Sequence, residues 1–275
     1  MMRLSLSLRI AETMAVKDRG LLPFEDLVQI AVQAGYSAVC LRASQASINT
    51  PRERLLEMRR RLDEAGLAVS MVTGTVALAA NNPDATDALR NITPHLDFAD
   101  AFGAKLVRIM VQREDDLPWV QRAADEAHER GITLAHQTHT ATLFETVDDC
   151  LEMLRRIGRP NVGITYEPAN LLAVGDDYGP VTLRRLAPYL VNVYLQNYRL
   201  SANGIPLRTN RGTVMIETLP LDAPGGVDFA RVFEGLHAIG YRGYVTVHQT
   251  AVEGLPIAEA ARRYAQFLRS FLAAP

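Results

Sequence analysis

Six times along the chain an amphipathic stretch ends at a glycine, a short apolar run follows, and the run closes on polar residues. Gly35 precedes YSAVCLR, Gly66 precedes LAVSMVTG and Gly103 precedes AKLVRIMVQ; Gly131 precedes ITLAHQTH, Gly158 precedes RPNVGITYEPAN and Gly240 precedes YRGYVTVHQT. Each glycine suits the left-handed position that terminates a helix. Each run is rich in Val, Ile and Leu, as a strand buried on both faces should be. Strands alternating with helices at a period of roughly 30 residues predict an α/β fold, a single (β/α)8 barrel of the TIM type. Such a barrel carries its chemistry at the C-terminal ends of its strands. The polar residues that close each run are therefore the first candidates for function.

The chain has 275 residues, 48% of them hydrophobic, and a barrel of this kind takes about 250 residues. One domain is expected to use residues 1–275. With a formal net charge of -2 and no long basic run, neither nucleic acid nor an anionic membrane is an expected partner. Cys40 and Cys150 fall in a predicted strand and a predicted helix, where isolated cysteines are buried thiols more often than a disulfide or a metal site. The N-terminal MMRLSLSLRIAETM is too short and too polar for a signal peptide or anchor, and no apolar run is long enough to span a bilayer. The expected compartment is the cytoplasm. Phe24, Trp119 and Phe144 supply apolar area that either the core or a homo-oligomer interface would use.

Local signals place the remaining elements. Pro23 opens a first helix, and Thr50 with Pro51 predicts an N-cap and a first helical position for TPRERLLEMRRRLDEAG. ALAANNPDAT is expected to be a loop before one long helix through Phe102, and the sixth strand is expected to run through NVGITYEPAN. The segment Arg199–Gly226 holds Gly204, Pro206, Gly212, Pro220, Pro224, Gly225 and Gly226. Loops longer than about 12–15 residues are usually lids or binding loops, so this segment is expected to cover the mouth.

Four strand ends carry the densest polar chemistry. The fifth strand offers His136, Gln137 and His139, and the sixth offers Glu167 and Asn170. The seventh offers Tyr194, Gln196, Asn197 and Arg199, and the eighth offers His248 and Gln249. In a parallel barrel these ends are neighbours around one mouth. Alternation puts Gln137 and His139 on one face, His136 on the other, and Tyr194 with Gln196. A buried carboxylate is costly unless paired, hydrogen-bonded or bound to metal, which singles out Glu167 unless it is an exposed loop residue. Glu167 and His248 are the acid/base candidates, and a carboxylate with a neutral imidazole also suits a metal such as Zn or Mn. His139 reads equally as a polar group closing a strand end. His95, His128 and His237 fall in predicted helices and read as surface or interface residues. The amides of Gln137, Asn170, Gln196, Asn197 and Gln249 offer paired donors and acceptors, which suit a neutral polyol. Arg9, Arg42, Arg108 and Arg199 could hold a carboxylate or phosphate, or form ion pairs. Arg208 and Arg211 could meet substrate or a neighbouring subunit.

The phrases LAHQTH, VGITYEPANLL, VNVYLQNYR and GGVDFARVFEGLHAIGYRGYVTVHQT make the whole chain resemble the xylose-isomerase-like TIM-barrel superfamily. That superfamily covers sugar-phosphate isomerases and epimerases, inosose dehydratase and endonuclease IV. The resemblance implies Glu, Asp, His and Glu at the ends of strands five to eight, together holding one divalent metal. The matching positions here are Gln137, Glu167, Tyr194 and His248, so the frame is kept and every ligand type has changed. What it implies for this chain is one divalent metal (Mn, Zn or Mg) on Gln137, Glu167 and His248. Substrate contacts would come from His139, Asn170, Tyr194, Gln196, Arg199 and Gln249.

Three functions follow as expectations. The first is an isomerase or epimerase of a sugar or polyol that removes a proton next to a carbonyl. The second is a lyase or dehydratase on a keto-sugar or inosose, which needs one base rather than two. The third is a metal-free sugar-binding barrel without catalysis. Endonuclease IV chemistry is not expected, because strands three and four end in SMVTG and RIMVQ, without extra His or Asp ligands.

Overall fold

The computed structural model describes residues 1–272. Eight strands form a closed parallel barrel: β1 (Arg3–Ser7), β2 (Ala38–Leu41), β3 (Ala68–Val72), β4 (Leu106–Ile109), β5 (Thr133–Gln137), β6 (Val162–Tyr166), β7 (Leu190–Leu195) and, after a hairpin, the eighth barrel strand. The hairpin is β8 (Tyr198–Thr209) with β9 (Gly212–Thr218), and the eighth barrel strand is β10 (Tyr244–Val247). Sequential barrel strands are neighbours, and β10 closes the ring between β7 and β1. The (β/α)8 expectation is met. The helix-ending glycines behave as their positions require: at the end of the helix Val147–Ile157, Gly158 adopts φ 60° and its N–H reaches Leu154 O.

The apolar core lies between the strands and the surrounding helices, with Leu27, Leu62, Phe98, Val120, Leu154 and Leu236 among its fully packed side chains. The space inside the barrel is different. Cys40, Met71, Ala135 and Tyr194 form a small apolar layer there. Polar pairs flank it, such as Ser5 with Ser70 (2.7 Å) and Asn192 with Thr165 (3.5 Å). A polar barrel interior leads toward the mouth rather than sealing it.

Several local expectations are revised. The stretch expected to be a loop forms a helix, Val76–Ala80, and a 3-10 turn, Pro83–Thr86. The helix expected to run unbroken to Phe102 is split into Asp87–Arg90 and Thr93–Ala101. Pro94 explains the break, because a proline is tolerated in a first turn and not in a helix interior. Thr50 is not a helix cap; its Oγ1 accepts from Ser47 N, and Pro51 occupies the cap position of the helix Arg52–Glu64. The sixth strand stops at Tyr166, and Pro168–Ala173 is a short helix. Phe24 and Phe144 are core residues with 2% and 0% exposure, so neither supplies an interface. His95 is buried rather than superficial, and burial pulls its imidazole down to about 4.

The segment Arg199–Gly226 is mostly an ordered antiparallel hairpin instead of a loop. Its pairing slips between Leu200 and Ile205, both of which face Ile216. Gly204 sits in that bulge, where a β-carbon would fall 2.1 Å from Ile216 O. At the hairpin tip, Asn210 N donates to both Glu145 carboxylate oxygens (3.0 and 2.8 Å), and Asn210 Nδ2 donates to Thr142 O (2.7 Å). The tip is thus tied to the loop that follows β5.

Candidate active site

A cavity of about 480 Å³ opens at the C-terminal ends of the strands, lined by Arg9, Lys17, Arg108, Gln137, His139, Asn170, Gln196, Tyr198, Arg208 and His248 among others. The hairpin forms one wall through Tyr198, Leu207, Arg208, Ile216 and Thr218. Each floor residue is placed by a strand end or the turn after it. Arg9 lies in the 3-10 turn Leu8–Ala11 that follows β1, and Ser7 caps that turn by accepting from Arg9 N (3.3 Å). Arg108 lies within β4, Gln137 ends β5, and His248 directly follows β10.

Glu167 sits beneath this floor and does not itself line the cavity. It caps the short helix that Pro168 opens, and its N–H donates to Thr138 Oγ1 (2.9 Å). Three residues further on, on the same helix face, Asn170 Nδ2 donates to Glu167 Oε2 (3.2 Å). The Gln137 amide donates to the same oxygen. Glu167 Oε1 and Gln137 Oε1 are both buried without a partner. Burial raises the Glu167 carboxyl to about 7; the charges of Arg9 and Arg108 and a hydrogen bond from Gln196 oppose the rise.

Two guanidinium groups complete the floor. Arg9 Nη1 donates to Gln196 Oε1 (2.9 Å) and to His248 O (3.0 Å). Arg108 Nη1 donates to Leu78 O (2.6 Å), and its Nη2 donates to Asn81 Oδ1. His248 lies flat on Tyr194, with ring centres 3.7 Å apart and planes 8° from parallel; its Nδ1 is 3.1 Å from Ser7 Oγ. Burial, reinforced by Arg9, Arg42 and Arg108, pulls its imidazole well below the usual range. Burial likewise lowers His139 to about 4, with Arg108 adding to the effect. Both histidines are therefore neutral at physiological pH. Lys17, half-buried at the rim, is lowered to about 7 by burial and then by Arg9 and Arg42.

Of the residues singled out from the sequence, the cavity brings together Gln137, His139, Asn170, Gln196 and His248. Tyr194 is fully buried and supports His248 from below, with Oη 3.1 Å from Cys40 Sγ. It lies two residues, or about 7 Å of strand, below Gln196, so it belongs to the barrel interior and not to the lining. Gln249 is buried and accepts from Asn197 N (2.9 Å). Arg199 lies on the exposed side of the hairpin, paired with Glu217 (2.8 Å). His136 stacks on Phe144, with ring centres 3.9 Å apart, and is outside the cavity. Arg42 is not free to meet a ligand, because Glu12 holds it in a buried pair (2.9 Å). Lys17, Asn81, Gln112 and Tyr198 line the cavity without having stood out in the sequence. Only Lys17 left a signal, as a cation in the loop that follows a barrel strand.

The fold is a closed βα-barrel with a polar-lined cavity at its C-terminal mouth. Comparison with known proteins is more specific: the profile described as "Xylose isomerase-like TIM barrel" matches residues 28–271, and the chain belongs to that family. Over 131 residues it is 25% identical to an inosose dehydratase of Geobacillus thermodenitrificans (strain NG80-2), spanning 46% of this chain and 44% of the relative. Over 132 residues it is 30% identical to the rhizopine catabolism protein MocC of Rhizobium meliloti, spanning 45% of this chain and 38% of the relative. Each match spans less than half of the relative's length. Solved structures of similar fold cover nearly the whole chain. The probable 3-DHS dehydratase AsbF of Bacillus anthracis has a TM-score of 0.70 at 16% identity, covering 98% of this chain and 99% of that one. A D-allulose 3-epimerase of Methylomonas sp. has 0.69 at 16%, covering 98% of each. A xylose isomerase-like protein of Mycobacterium smegmatis, in complex with magnesium, has 0.70 at 18%, covering 99% and 98%.

The expected metal site on Gln137, Glu167 and His248 does not match the chemistry of this mouth. Hard divalent cations favour several oxygen ligands with carboxylates among them. Of these three residues Glu167 alone is an anion, and its charge is already opposed by Arg9 and Arg108. Among the described residues, no group of three or more His, Cys, Asp or Glu is placed to hold a metal. The two orphaned oxygens, Gln137 Oε1 and Glu167 Oε1, are acceptors suited to a hydroxyl or a proton.

Proposed function

We propose that the mouth is the active site of an enzyme that removes a proton next to the carbonyl of a small sugar or polyol derivative, in the manner of an isomerase. The observation that carries this reading is Glu167: fully buried, one oxygen unpartnered, and raised to about 7. A carboxyl that titrates near neutrality can take a proton and give it back. One such group suffices to move a proton between adjacent carbons. The Gln137 amide stands between Glu167 and the cavity, and in this reading it turns aside as substrate enters. Arg9 and Arg108 face the charge that develops on the carbonyl oxygen, and fixed cations in a water-poor site stabilise an enolate strongly. His248, held neutral and flat by Tyr194, and the amides of Asn170 and Gln196 orient hydroxyls. This assignment uses no metal, because the donor set does not suit one.

A second reading, dehydration of a keto-sugar or inosose, is favoured by one observation. His139 and His248 are both held well below neutrality, so the second base of a two-base epimerisation is missing. A lyase needs one base and an acid for the departing hydroxyl, and Lys17, near 7 at the rim, supplies that acid. Incubation with ketoses and inososes separates the readings. An isomerase returns a rearranged sugar of equal mass; a dehydratase returns a product 18 mass units lighter, as the loss of one water requires. Turnover of neither kind, with binding intact, leaves the non-catalytic sugar-binding barrel.

A further inference from the structure

Building on that reading of the mouth, the charge inventory of the cavity narrows its ligand. Arg9, Lys17, Arg108 and Arg208 line it, and no Asp or Glu does. The arginines of the surface are paired in many places, as in Arg59–Asp63, Arg156–Glu114 and Arg263–Asp222. Among the described residues, neither Arg9 nor Arg108 makes an ion pair, although their exposures are 7% and 1%. Arg9 Nε and Arg108 Nε also have no hydrogen-bond partner. A buried charge is costly unless paired. Two buried guanidinium groups without a carboxylate in contact therefore mark a place kept for a charge the chain does not supply.

We propose that the ligand of this site is a polyhydroxylated carbonyl compound bearing a carboxylate, a sugar acid or a carboxylated cyclic polyol. The charge count favours a carboxylate over a phosphate. Arg42 and Glu12 neutralise each other, and Glu145 is satisfied by the N–H groups of Ala141 and Asn210, which leaves Glu167 as the carboxyl whose charge reaches both Arg9 and Arg108. One further negative charge closes the balance, and a phosphate dianion overshoots it. A planar carboxylate also matches guanidinium geometry. Lys17 and Arg208 stand at the rim, where a field of one sign draws an anion inward. The remaining wall, with Gln137, Asn170 and Gln196, serves hydroxyls.

Calorimetric titration of the full chain with D-glucuronate, D-glucose and D-glucose 6-phosphate tests this. The uronate is expected to bind at least about tenfold tighter than glucose, a difference of about 1.4 kcal/mol, and to weaken as salt rises. Lys17→Met and Arg208→Gln alter side chains that are half-buried and exposed, so folding is preserved. Each is expected to lower uronate affinity up to about fivefold, and that loss is expected to shrink as salt rises. Glucose binding as tightly as the uronate overturns the inference and leaves the enzymatic reading standing. So does a phosphate preference of tenfold or more. Binding of none of the three overturns the polyol reading of the mouth together with it.

Discussion

Arg42 is held inside the barrel mouth by Glu12, which receives Nε (3.2 Å), Nη2 (2.9 Å) and the Ser44 hydroxyl (2.7 Å). Burial raises the Glu12 carboxyl, and the Arg42 charge and hydrogen bonds more than reverse that rise. Removing one partner of such a pair strands the other. Glu12→Gln is expected to cost about 3–5 kcal/mol of stability in urea unfolding; a loss below about 1 kcal/mol contradicts the pairing. Glu167 poses the opposite case. Its folded value of about 7 lies above the ordinary 4.5, so the native state binds the extra proton between those values. Its contribution to stability is therefore lost as pH rises from 4.5 to 7. His139 and His248 are lowered and act in the reverse sense over much of the same range, so the comparison must be between variants. Glu167→Gln is expected to gain thermal stability relative to the parent as pH rises from 4.5 to 8. A constant offset across that range contradicts the raised value.

The hairpin β8–β9 is the element that departs most from a bare barrel. It forms a wall of the cavity, and its tip is fastened across the mouth by Glu145, which is 1% exposed. Glu145→Ala is expected to release the tip, raising amide exchange at Asn210 and its neighbours about tenfold or more, a loss of at least about 1.4 kcal/mol of local stability. Unchanged exchange at the tip would show that the carboxylate is not the tether. The frame of the molecule was readable from sequence because glycine-ended helices and doubly buried strands leave strong local marks, as at Gly158 and β6. The hairpin was not. Its alternation is broken by the bulge at Gly204, and its glycines and prolines imitate a loop. Depth was also hidden: Tyr194 and Gln196 differ by one interior layer, and nothing in the letters says which layer the ligand reaches. Glu167 was legible as a buried carboxylate, while the Gln137 amide that covers it depends on packing between β5 and β6. Lys17 left only its place in a loop after a barrel strand, and the path of that loop, which brings it to the cavity rim, is set by packing.

At the scale of the whole molecule, a family barrel carries an altered mouth. Where the resemblance implied three anionic ligands, this chain keeps one carboxylate and sets two buried arginines beside it. A bound metal would stabilise the fold by mass action. Adding Mn, Zn or Mg, or a chelator, is expected to leave the melting temperature unchanged within about 1 °C, whereas a rise of several degrees, about 1 kcal/mol or more for a chain of this size, restores the metal site. The described helices include none long and apolar enough to cross a membrane. Proton transfer by Glu167 is tested most simply by following deuterium. A panel of carboxylated and neutral keto-polyols is incubated with the protein in D2O and read by proton NMR at the carbon next to the carbonyl. Exchange is expected at that carbon with at least one member of the panel, slowed about 100-fold or more by Glu167→Gln. Exchange at the parent rate in Glu167→Gln, or no exchange with any member, contradicts it.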